Sequence, residues 1–398
     1  MERWDFDAIV DRRGTNAVNV EAALSSVGCA GEDLPWAADE LVRMWVADME
    51  FAPPPVVLEA IRARLDRRIL GYTGSFDGKL YEAVSGWCRA RYGWSFAKEE
   101  LAFSPGVVAA IYQIAEDVCG PDGKILLLTP SYAPFAEAAR RCGAELVCSP
   151  LVKTEDGWRI DFADLAEKAA DPAMKLLIFC NPHNPTGRVW TPEELVQVAE
   201  LAEGNGLWLV SDEIHCDLTR TGVTYTPMAK ILPEYRKLIV CLSASKTFNV
   251  AGLMLSEIVL RDEEERRTFR ARQKSGGLNP LSLAAHEAAF SQGGPWLDAL
   301  REYLDGNFAL MKEFFDEHFP LARFAVPEAT YLAWADLSAY VPEGLAAAPF
   351  FARNAGVILE DASSFVADGG GHVRMNLAMP RSLLQKGLDR MAAAVSKT

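Results

Sequence analysis

From about residue 125 the chain alternates short apolar runs with amphipathic stretches, and this alternation constrains the fold more than any other feature. Runs that are apolar throughout are typical of strands with both faces buried. Helical stretches between such runs indicate a mostly parallel sheet covered on both sides. We therefore expect an α/β fold whose large domain has three layers, α/β/α. The candidate strands are Lys124–Leu128, Glu145–Cys148, Lys175–Cys180, Leu207–Ser211, Lys237–Leu242 and Glu257–Leu260.

The length of the chain and a change of pattern along it predict two domains. A chain of 398 residues exceeds the size at which a single core keeps growing. The C-terminal third joins a long helical period at Trp296–Phe319 to shorter extended pieces, which predicts a smaller α+β domain. We expect a large domain at residues 51–285, a small domain at 286–398, and an N-terminal segment at 1–50 that joins the small domain.

The charge balance and the residue content argue against several classes of function. Lys plus Arg number 40 and Asp plus Glu number 55, and the formal net charge of −15 opposes binding to nucleic acid. No apolar stretch is long enough to span a membrane, and the acidic N-terminus does not look like a secretory signal. The cysteines form no C-x-x-C pair and the histidines show no ligand spacing, so we expect reduced thiols and no metal. These features predict a cytoplasmic protein.

Polar side chains follow three of the predicted strands. Asn184 lies in the segment after one apolar run, Asp212 directly follows the next, and Lys246 lies just after a third. Ligands of parallel α/β sheets bind at the carboxyl ends of the strands. The sequence therefore predicts one sheet edge that presents an amide, a carboxylate and an amine together.

These three groups share a chemical use. A partly desolvated lysine can condense with an aldehyde, and a carboxylate can keep a pyridine nitrogen protonated so that the ring accepts electrons. Taken singly, each residue has an ordinary interpretation: Lys246 as a surface lysine, Asp212 as a cap, and the Asn184 segment as a turn. Their order along the chain and their common position at strand ends favour the catalytic interpretation.

The segments Asn-Pro-His-Asn-Pro-Thr-Gly, Ser-Asp-Glu-Ile-His and Ser-Ala-Ser-Lys-Thr-Phe-Asn resemble the signatures of fold-type I pyridoxal 5′-phosphate (PLP) enzymes, the aspartate aminotransferase superfamily. They resemble more narrowly its MalY/PatB branch of cystathionine β-lyase-like C–S lyases. His215 and the run Lys-Thr-Phe-Asn-Val-Ala-Gly are features of that branch. Supporting segments lie at 44–49, 71–73, 104–108, 327–334 and 374–381.

The resemblance implies PLP as the cofactor and assigns residues to it. Lys246 would carry PLP as a Schiff base and then shuttle protons. Asp212 would pair with the ring nitrogen, Asn184 would contact the ring oxygen, and His215 stands where many aminotransferases have a tyrosine near that oxygen. Tyr132 would stack on the ring and take part in catalysis, although it could also be a structural aromatic in a proline-rich turn.

The phosphate of PLP would lie at the start of the predicted helix Val107–Val118. Helix N-termini bind anions through free backbone N–H groups, here those of Gly106, Val107 and Val108. The hydroxyls of Ser243 and Ser245 would add to this site, or they could cap the backbone instead.

The same resemblance implies substrate contacts and a homodimer. Arg374 would bind the α-carboxylate of an amino acid through a bidentate pair. Ala47 would lie over the substrate and offer backbone contacts, and Asn184 would also border the substrate. Tyr72 would reach the phosphate from the neighbouring subunit, or it could be an ordinary turn tyrosine beside Gly71.

Some positions depart from the superfamily pattern. Met254 stands where many aminotransferases have a phosphate-binding arginine, eight residues after Lys246. Asp361-Ala362 and Phe365-Val366 replace an expected Gly and Phe-Gly, and His372 replaces a usual aromatic. These departures put the identity of the substrate in doubt more than the binding of the cofactor.

The branch resemblance favours β-elimination from sulfur amino acids such as cystathionine, which gives a thiol, pyruvate and ammonia. The main alternative is a PLP-dependent aminotransferase, because both reactions use Lys246, Asp212 and Arg374. Members of the branch can also act as regulatory PLP-binding proteins, but the intact catalytic set argues against a purely regulatory role.

Overall fold

The computed structural model describes residues 4–32, 34–154, 157–273, 277–367 and 370–396. Its strands are β1 (Val42–Met44), β2 (Leu101–Ser104), β3 (Lys124–Thr129), β4 (Ser131–Tyr132), β5 (Glu145–Pro150), β6 (Val152–Thr154), β7 (Gly157–Arg159), β8 (Met174–Cys180), β9 (Trp208–Asp212), β10 (Leu238–Leu242), β11 (Ser256–Leu260), β12 (Leu332–Asp336), β13 (Val357–Asp361), β14 (Phe365–Val366) and β15 (His372–Asn376).

The helices alternate with these strands. They are α1 (Val18–Glu21), α2 (Ala23–Ser26), α3 (Pro55–Leu65), α4 (Lys79–Tyr92), α5 (Val107–Val118), α6 (Ala133–Cys142), α7 (Phe162–Ala169), α8 (Pro192–Gly204), α9 (Met228–Ile231), α10 (Ala244–Thr247), α11 (Glu263–Arg272), α12 (Pro280–Gln292), α13 (Gly294–His318), α14 (Ala347–Ala355) and α15 (Arg381–Val395). Short 3₁₀ turns lie at Lys98–Glu100, Ala251–Leu253, Ser338–Tyr340 and Ala362–Ser364.

Local sequence explains where the helices begin. At the start of α8, the Thr191 hydroxyl accepts a hydrogen bond from the Glu194 N–H at 3.2 Å, and the Glu194 carboxylate accepts one from the Thr191 N–H at 2.9 Å. Pro192 occupies the first turn, where its missing N–H costs nothing. This reciprocal cap is the one that the sequence predicts.

The larger sheet has the strand order β2-β11-β10-β9-β8-β3-β5 within the described residues. Strands β5, β3, β8, β9 and β10 run parallel, whereas β11 is antiparallel to both of its neighbours. Separate apolar clusters pack against the two faces of this sheet. The predicted fold class, a three-layer and mostly parallel sheet with a smaller α+β part, is confirmed.

The smaller sheet has the order β1-β13-β15-β12. Strand β1 comes from the N-terminal segment and pairs parallel with β13, and the other pairs are antiparallel. A core of its own contains apolar residues from α2, α14 and α15 together with these strands. The division at residues 50 and 285 stays a prediction.

Two further properties concern only the part of the chain that the structure describes. None of its helices is both long and apolar enough to cross a bilayer. None of its clusters of His, Cys, Asp and Glu side chains is arranged to hold a metal ion.

Candidate active site

The carboxyl ends of three adjacent parallel strands bring Asn184, Asp212 and Lys246 to the same edge of the large sheet. Asp212 is the last residue of β9 and lies in register with Cys180 at the end of β8 and Cys241 near the end of β10. Lys246 follows β10 in the short helix α10, and Asn184 follows β8. The side chains that the sequence singled out therefore lie around one edge.

The Lys246 amine lies in a polar but largely desolvated position. Its Nζ donates a hydrogen bond to the Ala47 carbonyl oxygen at 2.6 Å. Burial lowers the pKa of Lys246 to about 8, and the positive charge of Arg374 acts in the same direction while Asp48 and Asp212 oppose it. Roughly a tenth of the amine is thus uncharged at pH 7, far more than for an ordinary lysine, and condensation with an aldehyde requires this uncharged form.

Asp212 is a buried carboxylate whose only hydrogen bond among the described residues comes from the Ile214 N–H, at 3.2 Å. Burial raises the pKa of Asp212 to about 7, and the nearby Lys246 charge opposes this rise. A buried carboxylate with so few partners is stabilised by a bound cation. The protonated nitrogen of a pyridine ring would supply one.

His215 presents an unused hydrogen-bonding atom to the same region. It is buried, and its Nδ1 has no hydrogen-bond partner among the residues that the structure covers. Burial lowers the pKa of His215 to about 3, so the ring is neutral at physiological pH. The edge of the Tyr331 ring packs against it with 6.3 Å between centroids. An orphaned buried nitrogen of this kind fits a polar ligand atom.

The start of α5 lies where the sequence predicts the phosphate site. Gly106 is its N-cap residue, has no side chain to cap the helix, and leaves open space where a Cβ would lie. The first N–H groups of the helix, including those of Val107 and Val108, have no partner within the helix. Such free backbone donors at a helix N-terminus are suited to bind an anion such as phosphate.

The two serines near Lys246 differ. The Ser243 hydroxyl donates to the Leu255 carbonyl at 2.9 Å and accepts from the Ser245 N–H at 3.1 Å. It thus caps α10, which is the alternative that the sequence left open. The Ser245 hydroxyl is half-buried and has no hydrogen bond to the described residues, so it is free to bind phosphate.

Arg374 extends from β15 into the site and is almost fully buried. Its Nη1 donates to the Asn184 Oδ1 at 3.1 Å, and its Nη2 donates to the Trp45 carbonyl at 3.2 Å and to the Glu360 carboxylate. Its Nε has no partner among the described residues. The guanidinium therefore orients the Asn184 side chain and keeps a donor available for a carboxylate.

Tyr132 interacts electrostatically with both Arg374 and Asp212. Strand β4 pairs Tyr132 with Phe365 of β14. Burial raises the pKa of Tyr132, with the charges of Arg374 and Asp212 acting in opposite directions. This position suits a ring that stacks on a planar cofactor. Tyr72, in contrast, is fully exposed on its own chain, and its contribution to a neighbouring site stays a prediction.

Residues 45–51 form a segment beside Lys246, which we call the roof. The side chains that hydrogen-bond to the roof were not predicted from the sequence. Asn376 donates to the carbonyls of Val46, at 2.7 Å, and of Asp48. Asn249 donates to Met49 O at 2.9 Å and to Phe51 O at 2.8 Å. Tyr331 donates to Ala47 O at 3.0 Å.

Tyr331, Asn249 and Asn376 all lie in segments that carried the family resemblance. That resemblance was the one signal that could have pointed to them. Their targets are main-chain oxygens, so no pattern of side chains along the sequence identifies the partner.

The comparisons with known proteins agree with this geometry. Residues 40–391 match the family of class I and II aminotransferases. The chain belongs to this family. The chain is 37% identical to cystathionine β-lyase PatB of Bacillus subtilis over 396 residues, which cover 98% of this chain and 100% of PatB. It is 29% identical to MalY of Escherichia coli, covering 98% and 99% of the two chains.

A PLP-bound C–S lyase from Staphylococcus hominis, solved with the inhibitor L-cycloserine, is also similar to this chain. The two are 46% identical, the match covers 99% of this chain and 98% of the other, and the TM-score is 0.94. The predicted assignment to fold-type I PLP enzymes of the MalY/PatB type is confirmed.

The residues of the site fit PLP. The buried Asp212 carboxylate has no salt bridge to a described residue, which suits a cationic ring nitrogen. The Nδ1 atom of His215 has no hydrogen-bond partner among these residues, and the first N–H groups of α5 have no side-chain cap. Lys246 is placed to hold the aldehyde carbon. The predicted cofactor is confirmed at the level of the family, whereas the role of each residue stays a prediction.

Proposed function

We propose that this chain is a PLP-dependent C–S lyase that acts on sulfur amino acids such as cystathionine and releases a thiol, pyruvate and ammonia. The observation that carries the proposal is the similarity over nearly the whole chain to the C–S lyase of S. hominis, at 46% identity. PatB, which is named a cystathionine β-lyase, supports the same reaction class.

The proposed reaction needs a base, a carboxylate site and an electron sink. When bound, PLP supplies a protonated ring that draws electrons from the substrate α-carbon. Asp212 holds the proton on the ring nitrogen, because its buried carboxylate is stabilised by that cation. Arg374 binds the α-carboxylate, which fixes the orientation of the α-carbon. Lys246 Nζ removes the α-proton, since its pKa, lowered to about 8, leaves about half of the amine uncharged at pH 8.

An aminotransferase is the second candidate, because its class gives the family its name and needs the same Lys246, Asp212 and Arg374. The two reactions differ in which bond changes after the α-proton has left. A lyase loses the sulfur substituent from the β-carbon, whereas an aminotransferase returns a proton to the cofactor and releases a keto acid.

The deciding experiment incubates the PLP-loaded enzyme with cystathionine and measures thiol, pyruvate and keto acid in parallel. We expect pyruvate and thiol in equal amounts and no accumulation of the aminated cofactor. The Lys246→Ala variant serves as the inactive control. A keto acid that retains the sulfur, formed with the aminated cofactor, would establish an aminotransferase instead. Failure of the protein to bind PLP in a borohydride-reducible form would favour neither enzyme.

A further inference from the structure

The roof carbonyl of Ala47 is shared by two donors. Lys246 Nζ donates to it at 2.6 Å and the Tyr331 hydroxyl donates to it at 3.0 Å. A carbonyl oxygen has two lone pairs, so these donors satisfy it fully. The Tyr331 hydroxyl and the Lys246 amine are therefore next to each other around one oxygen atom.

The surrounding contacts leave this oxygen in a fixed position. Asn376 holds the carbonyls on either side of it, those of Val46 and Asp48. Tyr331 is completely buried, directly precedes β12, and receives the Leu377 N–H on its own carbonyl at 2.8 Å. The hydroxyl thus comes from a rigid part of the small sheet, whereas the amine comes from the large sheet.

We infer that the Ala47 carbonyl oxygen accepts a hydrogen bond from the Lys246 amine whenever this amine is not bonded to the cofactor. Tyr331, which donates to the same oxygen, is then a positioning residue for the Lys246 amine. The inference rests on the proposed function, in which Lys246 moves the α-proton. A Lys246 nitrogen joined to PLP would carry at most one hydrogen, whereas the free amine carries two or three and donates to Ala47 O. Once a substrate amine takes its place, the released amine needs a partner that keeps it facing the substrate.

The oxygen keeps one donor when either side chain is removed and has none when both are removed. A carbonyl oxygen that still has one partner costs little, whereas one that loses both partners costs more because it is left unsatisfied away from bulk water. The two substitutions are therefore expected to be non-additive, as contacts that share a partner generally are.

The first test is a double-mutant cycle on the full chain after removal of PLP, with Lys246→Met and Tyr331→Phe made singly and together. We expect the midpoint temperature of the double variant to fall by more than the sum of the single falls. Tyr235→Phe is the matched control, because the Tyr235 hydroxyl also donates to backbone carbonyls, those of Ala202 and Leu207. Its combination with Lys246→Met is expected to be additive. Additive effects in both pairs would overturn the inference.

The second test measures steady-state kinetics of the PLP-loaded enzyme with cystathionine. Loss of one hydrogen bond that orients the base predicts a fall in kcat of about 3- to 10-fold for Tyr331→Phe, with KM unchanged. Tyr235→Phe is expected to keep both constants. A raised KM with unchanged kcat would show that Tyr331 acts in substrate binding and would overturn its positioning role.

The stability test and the kinetic test together distinguish a failure of this inference from a failure of the proposed function. The stability cycle needs no turnover, so non-additivity together with an absence of pyruvate would contradict the lyase and leave the shared acceptor in place. Pyruvate formation together with additive stabilities would contradict only the shared acceptor.

Discussion

At the scale of single residues, Asp212 shows how a binding site can be destabilising until its ligand arrives. The folded chain buries this carboxyl group without a salt bridge to any described residue, and burial raises its pKa from 3.8 to about 7. The folded state therefore holds a proton that the unfolded chain has already released between these two pH values. Stability from this group is present below pH 3.8 and is lost as the pH rises through 7.

We predict that Asp212→Asn stabilises the PLP-free chain above pH 7. The amide carries no charge to bury, so the gain is roughly 2–4 kcal/mol at pH 8 and declines toward pH 4. Thermal unfolding of both proteins at these pH values measures it. The PLP-loaded variant is expected to lose at least about 100-fold in kcat, since the ring nitrogen loses its partner. An equal stability difference at both pH values would contradict the assigned pKa.

At the scale of elements, the turn after β8 depends on a close approach of backbone to the segment at 327–329. Gly187 has a φ of +71°, and a Cβ there would lie 2.3 Å from the Pro327 Cβ. The Gly187 carbonyl also accepts the Ala329 N–H at 2.9 Å. This turn holds Asn184 beside Arg374. The close packing of Gly187 against Pro327 therefore affects the position of the Asn184 side chain.

We predict that Gly187→Ala destabilises the protein by about 2–4 kcal/mol, because it combines an unfavourable φ with a steric clash. Gly204→Ala is the matched control: Gly204 ends α8, and a Cβ there meets nothing within 4 Å. This control is expected to be neutral or to stabilise by up to about 1 kcal/mol. Denaturant unfolding of the two variants checks both values, and similar losses for both would contradict the role assigned to the Gly187 turn.

The sequence predicted most of the large sheet, because strands buried on both faces leave an unmistakable apolar pattern. Predicted and observed bounds differ by one or two residues, as for Leu207–Ser211 against Trp208–Asp212 in β9 and Glu145–Cys148 against Glu145–Pro150 in β5. The pattern indicated a mostly parallel sheet but not the direction of each strand, so the antiparallel orientation of β11 was not predicted. Direction depends on contacts between distant segments, which local residue patterns do not contain.

The same distinction applies to the site. Lys246, Asp212 and Asn184 could be predicted because strand ends are visible in the sequence. Tyr331 and Asn249 could not, because each acts on a carbonyl of the roof from more than 190 positions away. Hydrogen bonds to main-chain atoms have no counterpart in the order of side chains, so only the fold reveals them.

At the scale of the whole molecule, one segment exposes a series of large apolar side chains. Their exposed fractions are 71% for Ile69, 57% for Leu70, 100% for Tyr72 and 91% for Phe76. Contiguous exposed apolar side chains mark protein interfaces. The family resemblance implies a homodimer in which Tyr72 completes the neighbouring phosphate site, and this segment is the surface that we propose for it.

Hybrid dimers test this proposal. Lys246→Ala and Tyr72→Ala chains are each expected to be nearly inactive alone. Mixed in equal amounts and allowed to exchange, half of the dimers are hybrids with one intact site each, so activity returns to about a quarter of the wild-type level. No recovery, with exchange verified by tagged chains, would place Tyr72 in the site of its own chain.

The acceptor of the catalytic amine is a main-chain atom, and this limits how mutagenesis can examine it. Every amino acid at position 47 brings the same carbonyl oxygen, so a complete scan of substitutions there would report on side-chain volume and never on the hydrogen bond itself. An ester in place of the 47–48 amide would weaken the oxygen as an acceptor and leave every side chain unchanged. At this position of this chain, tolerance to substitution would therefore not report on the proposed contact with Lys246.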